Sequence, residues 1–406
     1  MPPKLLIIAD DYTGALDTGV QLSKHGISAR VYSGIDAVFS DEQAAVVNTS
    51  SRHLTSDAAK SAVFEIAARA KREGVEYFYK KTDSALRGNL GAELDGLLEA
   101  AGSERLCFIP AYPALGRVTK NGIHYIDGVR VSDSVLGNDP FTPVSESDII
   151  KLLKGQCGYD VTLKTPGFPI SGRGILVYDS GTEEDLKRVA QTILRYGEKV
   201  LAGCAGFAAQ LPFIIDFDKS PLKSPKPRRG LLVVTGSVNP VTLAQLDFAE
   251  NRGFSSITLT GFQKTAPNFQ ISPEYLKLTA GIKDNFHVND RLIIRSVTGE
   301  QDYIRPNELN SDSLRKRIAK NIAETAASVI KTLDTNLFII GGDVLKAFLE
   351  TLGIASIVPL SEPLPGIVIF EISISGEKRV IFSKSGGFGK EDVIIKIEEY
   401  ILEAEK

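Results

Sequence analysis

Ala9-Asp10-Asp11-Tyr12-Thr13-Gly14 sets two adjacent carboxylates where a short apolar run gives way to a helical pattern. A helix cap needs one aspartate, so a pair points beyond capping to substrate hydroxyls, a metal ion or a reacting proton. Asp17, further along the same helical pattern, is weaker evidence. Lys80-Lys81-Thr82-Asp83-Ser84-Ala85-Leu86-Arg87-Gly88-Asn89 follows a second apolar run. Lys81 and Arg87 can clamp a carboxylate or phosphate, Arg87 in bidentate fashion. Asp83 can accept the proton of an attacking hydroxyl. The bland alternative is a solvated loop with Asn89 as helix cap. Gly116-Arg117-Val118-Thr119-Lys120-Asn121-Gly122, continuing to His124, reads as a charged, glycine-bracketed loop able to close over a ligand or simply to lie on the surface.

A different chemistry is written in the second half. Thr235-Gly236-Ser237-Val238-Asn239-Pro240, Gly341-Gly342-Asp343 and Ser385-Gly386-Gly387-Phe388-Gly389 each follow an apolar strand pattern and precede a helical one. Backbone N–H groups at such turns suit anions, and glycines let the backbone approach a phosphate. Ser237 and Asn239 can hydrogen-bond a base, ribose or phosphate, or serve only as caps. Repetition of the turn in one half points to a nucleotide. A G-x-x-x-x-G-K-[ST] loop is absent, since Gly389-Lys390 runs into Glu391, and no G-x-G-x-x-G follows the first strand of either half. Standard P-loop kinases and standard dinucleotide dehydrogenases are thereby disfavoured.

The elements that must position these residues are short strands alternating with helices: strands at Lys4–Ala9, Ala45–Asn48, Tyr77–Lys80 and Leu106–Ile109, helices at Gly14–Lys24, after Ser56 to about Glu73, and at about Gly91–Ala101. The rhythm predicts an α/β fold of two domains, each a mostly parallel sheet flanked by helices, with a cleft between them. From Ala111 to Pro143 it breaks, and Asp127-Gly128 between Ile123–Ile126 and Val129–Val131 signals a hairpin. It resumes at Ile175–Tyr178, Leu186–Arg195 and Val200–Ala202. The proline- and lysine-rich stretch Pro221–Arg229 reads as a linker. Beyond it come strands at Leu231–Val234, Arg291–Val297, Leu337–Ile340, Ile367–Ile372 and Val380–Phe382, with helices near Ser311–Leu333 and Lys390–Ala404.

A length of 406 residues fits more than one domain, and a net charge of -3 gives no support for a general nucleic-acid footprint or a polybasic membrane surface. No apolar run is long enough to cross a bilayer. Leu5–Ala9 is too short for a signal peptide, so the expected compartment is the cytoplasm. Cys107, Cys157 and Cys204 form no CxxC pair and read as small apolar residues; His25, His53, His124 and His287 show no HExxH spacing, which disfavours a transition-metal site.

The chain resembles the four-carbon acid sugar kinases, once a domain family of unknown function. The resemblance spans nearly the whole length: IADDYTGALDTGVQLSKHG (8–26), KKTDSALRGNLGAELD (80–95), PAYPALGRVTKNGIHYIDGV (110–129), NDPFTPVSESD (138–148), TGSVNP (235–240), IGGDVLKA (340–347) and SKSGGFGKED (383–392). Departures are Tyr12 for the usual Leu or Phe, Thr82 and Ala85 within the KKIDSTLRGN motif, Val118 for Thr and Asn239 for Ser, while Asp10, Asp11, Asp83, Ser84, Arg87, Gly341 and Gly342 are retained.

The resemblance implies transfer of the γ-phosphoryl group of ATP to the terminal hydroxyl of a four-carbon sugar acid. The wording is most like the D-threonate branch, with D-erythronate and 3-oxo-tetronate as alternatives. A non-catalytic ATP- and acid-binding regulator is the alternative of another class. The implied domains are 1–220 for the sugar acid and 230–406 for ATP, joined by 221–229. Asp10, Asp11, Lys81, Asp83, Ser84, Arg87 and Arg117 then hold the acid, with Asp83 as preferred base and Asp11 as the second choice. Ser237, Asn239, Gly341, Gly342, Asp343, Gly386 and Gly387 hold ATP with Mg²⁺, whose ligands no motif assigns. Nucleic acid and membrane are not expected partners, and a homo-oligomer is left open.

Overall fold

In the computed structural model the chain forms two compact units, Met1–Leu222 and Lys223–Lys406. The structure describes residues 2–135, 143–220, 226–302 and 311–404, so part of the expected linker and part of the 138–148 motif lie outside the described residues.

The first unit comprises β1 (Leu5–Ala9), α1 (Tyr12–Ser23), β2 (Ala29–Ser33), β3 (Ala44–Asn48), α2 (Ser56–Glu73), β4 (Tyr77–Lys81), α3 (Leu90–Ala101), β5 (Arg105–Ile109), β6 (Arg117–Lys120), β7 (Ile123–Ile126), β8 (Val129–Arg130), α4 (Ile149–Lys154), β9 (Val161–Lys164), β10 (Gly174–Tyr178), α5 (Glu183–Tyr196), β11 (Val200–Gly203), α6 (Ala205–Ala208) and α7 (Leu211–Ile214). The main strands run β2-β3-β1-β4-β11-β5-β10-β9, every pairing parallel. The strand Leu-Leu-Ile-Ile-Ala of β1 is buried throughout, as a central parallel strand covered on both faces requires. Helix α1 is also buried all round. Helix α2 is capped by Thr55 rather than Ser56, the Thr55 side chain accepting from the Ala58 N–H, and Gly74 at φ +99° ends it.

Strands β6, β7 and β8 form a separate antiparallel sheet. Ile126 pairs with Val129 across Asp127 and Gly128, whose φ values of +50° and +82° suit a two-residue hairpin turn. The segment expected to be a loop at Arg117–Lys120 is thus a strand.

The second unit comprises β12 (Leu231–Thr235), α8 (Pro240–Glu250), β13 (Ser255–Thr258), α9 (Gly261–Thr265), α10 (Pro273–Val288), β14 (Arg291–Arg295), α11 (Ser311–Ile330), β15 (Asn336–Ile340), α12 (Gly342–Thr351), β16 (Ser356–Ile357), β17 (Pro359–Leu364), β18 (Ile367–Ile374), β19 (Glu377–Lys384) and α13 (Val393–Ala404). Its seven-stranded sheet runs β13-β14-β12-β15-β19-β18-β17. The pairings from β13 to β19 are parallel, and β18 and β17 are added antiparallel.

Both sheets reverse their winding direction beside their first strand. Strand β1 has β3 on one side and β4 on the other, and β12 has β14 on one side and β15 on the other. At such a point the loops leaving the carboxyl ends of neighbouring strands diverge and open a crevice. Among the described residues no helix is long and apolar enough to cross a membrane.

Candidate active site

In the first unit, Asp10 and Asp11 leave the end of β1, and Thr82 and Asp83 leave the end of the adjacent β4. The loop after β3 supplies Arg52, and the three aspartates converge on it. Arg52 Nε lies 2.7 Å from Asp10 Oδ2, Nη1 3.1 Å from Asp11 Oδ2 and Nη2 3.3 Å from Asp83 Oδ1. Burial opposes the Arg52 charge, but the attraction of Asp10, Asp11 and Asp83 exceeds it and raises the pKa well above the usual value.

Arg87 grips Asp83 in bidentate fashion, Nε to Oδ2 at 2.9 Å and Nη2 to Oδ1 at 2.8 Å. The backbone N–H groups of Ala85 and Arg87 also donate to Asp83 Oδ2. Burial alone would raise the Asp83 pKa; Arg87 and then Arg52 outweigh it and hold the carboxyl well below the usual range. Asp10 behaves similarly: burial raises its pKa, Arg52, Lys80 and Lys81 together lower it, and the net shift is down. Asp10 Oδ1 and Thr82 Oγ1 are buried without a hydrogen-bond partner. Asp11 caps α1 through the Gly14 N–H, and Thr13 donates to its other oxygen at 2.9 Å. It is the most open of the three carboxylates, at 21% side-chain exposure against 2% and 9%.

The two lysines divide. Lys80 turns inward to Glu93 at 3.2 Å, and Ser51 donates to the other Glu93 oxygen. Burial raises the Glu93 pKa. Lys81 donates to the Thr82 carbonyl at 2.7 Å and has no ion pair among the described residues. A Cβ on Gly14, the third residue of α1, would crowd the Asp11 carboxylate and stand only 2.9 Å from Lys81 Nζ, so a glycine leaves room for both. Asn89 does not cap α3 with its side chain, which donates instead to the Ser51 and Leu54 carbonyls.

The small sheet closes against this cluster. His124 is fully buried and donates from Nε2 to the Ser84 carbonyl at 2.9 Å, while Nδ1 accepts from the Thr119 hydroxyl at 3.2 Å. The carbonyl partner places a proton on Nε2, and burial, which lowers the ring's pKa to about 4, keeps the ring neutral. Arg117 on β6 is buried close enough to Asp83 for their charges to interact; burial lowers its pKa, and Asp83 acts in the opposite direction. The expected closing loop is therefore a fixed wall beside Asp83 and Ser84.

In the second unit, the turns after β12, β15 and β19 lie at one end of the sheet. Thr235 Oγ1 donates to the Ile340 carbonyl at 3.1 Å, tying the first two turns together. The Ser237 N–H donates back to Thr235 Oγ1, and Ser237 Oγ accepts from the Asn239 N–H. Asn239 caps α8 by accepting from the Val241 N–H, so its side-chain oxygen serves the helix. Gly341 adopts φ +110°, a backbone that side-chain-bearing residues avoid, and α12 opens directly after it at Gly342. Asp343 pairs with Arg315.

The third turn joins the first at Gly386. Thr242 donates to the Gly386 carbonyl at 2.9 Å, and a Cβ on Gly386 would lie 2.8 Å from Ser237 Oγ. Gly387 follows in the same turn. Gln245 Nε2 donates to the carbonyls of Phe388, Gly389 and Lys390, pinning the segment until α13 begins at Val393, later than the expected Lys390.

Sequence reasoning missed Arg52, although the strand-end rule applied to Ala45–Asn48 would have led to it. It also passed over Glu93 and Lys384, which stood inside quoted motifs.

A family model described as a sugar-binding N-terminal domain matches residues 5–211, and one described as a nucleotide-binding C-terminal domain matches residues 232–394. Relatives of the chain include kinases of D-threonate, D-erythronate and 3-oxo-tetronate. The chain belongs to the four-carbon acid sugar kinase family. Within it, the chain is 27% identical to the D-threonate kinase of Salmonella typhimurium, over 98% of this chain and 99% of that one. It is 26% identical to the D-erythronate kinase of Heliobacterium modesticaldum, over 98% and 97%, and 25% identical to the 3-oxo-tetronate kinase of Actinobacillus succinogenes, over 95% and 97%. As a four-carbon acid sugar kinase it is an enzyme that phosphorylates a hydroxyl group. Solved structures from Salmonella typhimurium (TM-score 0.76, 18% identity, 98% and 99% covered) and Haemophilus influenzae (TM-score 0.68, 21% identity, 98% and 100% covered) share the fold.

Proposed function

We propose that this kinase transfers the γ-phosphoryl group of ATP to the C4 hydroxyl of D-threonate, in the cytoplasm. Residues 1–220 bind the sugar acid and residues 230–406 bind ATP. The supporting observation is the convergence of Asp10, Asp11 and Asp83 on Arg52 beside an ammonium, Lys81, that has no ion pair among the described residues. Lys81 and Arg117 supply positive charge for the substrate carboxylate, and the aspartates and Ser84 bind its hydroxyls. Arg52 and Arg87 hold Asp83 in position.

Roles within the acidic cluster follow from its charge. Two guanidinium groups hold Asp83, which lowers its affinity for a proton. We assign it to orienting the hydroxyl, and assign receipt of the proton to Asp11, the most exposed carboxylate. This reverses the preference drawn from sequence. Phosphoryl transfer depends chiefly on positioning and charge stabilisation, so an orienting carboxylate is an important part of the site.

On the second unit, Ser237, the Gly341–Gly342 turn and the Gly386–Gly387 turn present backbone and hydroxyl donors to the nucleotide. Asn239 and Asp343 act there by fixing the turns, through the α8 cap and the Arg315 pair. Among the described residues no cluster of three or more His, Cys, Asp or Glu could hold a metal ion. Mg²⁺ commonly binds through substrate phosphates with one or two carboxylates and so needs no such cluster. Bound in that way, it would neutralise phosphate charge.

A coupled ADP-release assay with ATP and Mg²⁺ over D-threonate, D-erythronate and 3-oxo-tetronate tests the function. The expected result is the highest kcat/KM with D-threonate. A higher value for either of the other acids transfers the assignment to it, and ADP release with none of them overturns the substrate class.

A further inference from the structure

Lys384 ends β19 directly before the Gly386–Gly387 turn. Its side chain is 1% exposed. Nζ donates to the Ser385 carbonyl at 3.1 Å and lies 3.5 Å from the Gly386 carbonyl. Among the described residues it has no carboxylate partner. The flanking β15 carries no charged side chain, and on β18 Glu371 is paired with Lys378. Around the turns, Asp343 is paired with Arg315, Asp392 with Lys396 and Asp247 with Arg295. Glu362 accepts the Gly366 N–H at 2.8 Å. Lys390, past the turn, is itself cationic. A buried ammonium facing only carbonyl oxygens lacks the anion that normally accompanies such burial.

The surroundings indicate what that anion is. The Gly386 carbonyl beside Lys384 also receives Thr242, and Gly386 lies against Ser237, so the ammonium sits under the junction of the first and third turns. The Gly341 N–H donates to the Lys384 carbonyl at 3.0 Å, which brings the second turn to the same residue. Building on the nucleotide reading of this unit, we propose that Lys384 receives a nucleotide phosphate at this junction and takes up a proton from solvent as the phosphate arrives. Without an anion, burial lowers the Lys384 pKa to about 7, so near pH 8 most of the nucleotide-free protein carries it neutral. An adjacent phosphate restores the charged form.

The test is calorimetric titration of the full-length protein with ADP and Mg²⁺ at pH 8, in two buffers of different ionisation enthalpy. The buffer dependence reads the protons taken up per nucleotide bound. The wild type is expected to take up close to one proton at pH 8, and Lys384→Met to take up none while binding about ten- to hundredfold more weakly. Lys384→Arg, which cannot lose its charge, is expected to bind without uptake. Equal proton counts in wild type and Lys384→Met overturn the inference and leave the nucleotide reading standing. If the methionine variant does not fold, the wild type decides alone: binding with no uptake at pH 8 overturns the inference. Absence of ADP binding by the wild type overturns the nucleotide reading and the inference together.

Discussion

Arg52 is the residue on which the acidic cluster depends. Removing one partner from a buried charge network leaves the others uncompensated, which typically costs about 3–5 kcal/mol. Arg52→Met is therefore expected to destabilise the first unit by about that amount, read as a lower urea midpoint. Arg52→Lys keeps the charge but loses the fork that reaches three carboxylates, so it should fold and show a raised KM for the acid. The two aspartate roles separate kinetically. Asp11→Asn should lower kcat about 10²–10⁴-fold without loss of fold. Asp83→Asn should raise KM for the acid more than it lowers kcat, because it loosens Arg52 and Arg87. The reverse pattern in steady-state kinetics would return the base to Asp83. At this scale the sequence showed the residue types at the strand ends, but the pairings depended on folding. Arg52 stands 42 positions from Asp10 and has no neighbour in sequence that marks it as their partner.

At the scale of elements, the antiparallel sheet of β6, β7 and β8 is joined to the Asp83–Ser84 loop through His124. The ring's folded pKa of about 4 lies below the ordinary value of 6.5. Between these values the unfolded chain holds a proton that the native state excludes, so this contribution to stability is present above pH 6.5 and is lost as pH falls toward 4. From pH 7 to pH 5 the loss amounts to about 2 kcal/mol. His124→Gln should remove that part of the pH dependence, and urea midpoints of the two proteins at both pH values check it. An unchanged pH dependence would mean that His124 is not held neutral in the folded state. The hairpin itself was legible, because Asp127-Gly128 carries the positive φ values its turn demands. The edge strands were not. Val161–Lys164 and Ser255–Thr258 each bury few side chains, so their sequences lack the continuous apolar run of a central strand.

At the scale of the whole molecule, the compact units predict separable binding. A fragment of residues 226–406 should bind ATP in calorimetry, with the full chain as control. A folded fragment that binds none, beside a full chain that does, would show that residues 1–225 are needed to complete the nucleotide site. The sequence by itself determined the alternation of strand and helix, the charged residue types at strand ends and the glycine turns of the second half. These are local properties, set by side-chain periodicity and by the backbone freedom of a few residues. Strand order was decided only in three dimensions. Strand β11, far along the chain, lies between β4 and β5, a placement that nothing in its own apolar residues specifies. Tertiary structure also decided which charges meet. Asp10, Asp11 and Asp83 share one guanidinium because three loops leave one end of a parallel sheet, and burial removed Lys384 from water with no carboxylate partner among the described residues. Charge state and partnership follow from distance and solvent exclusion, which exist only once the chain has folded.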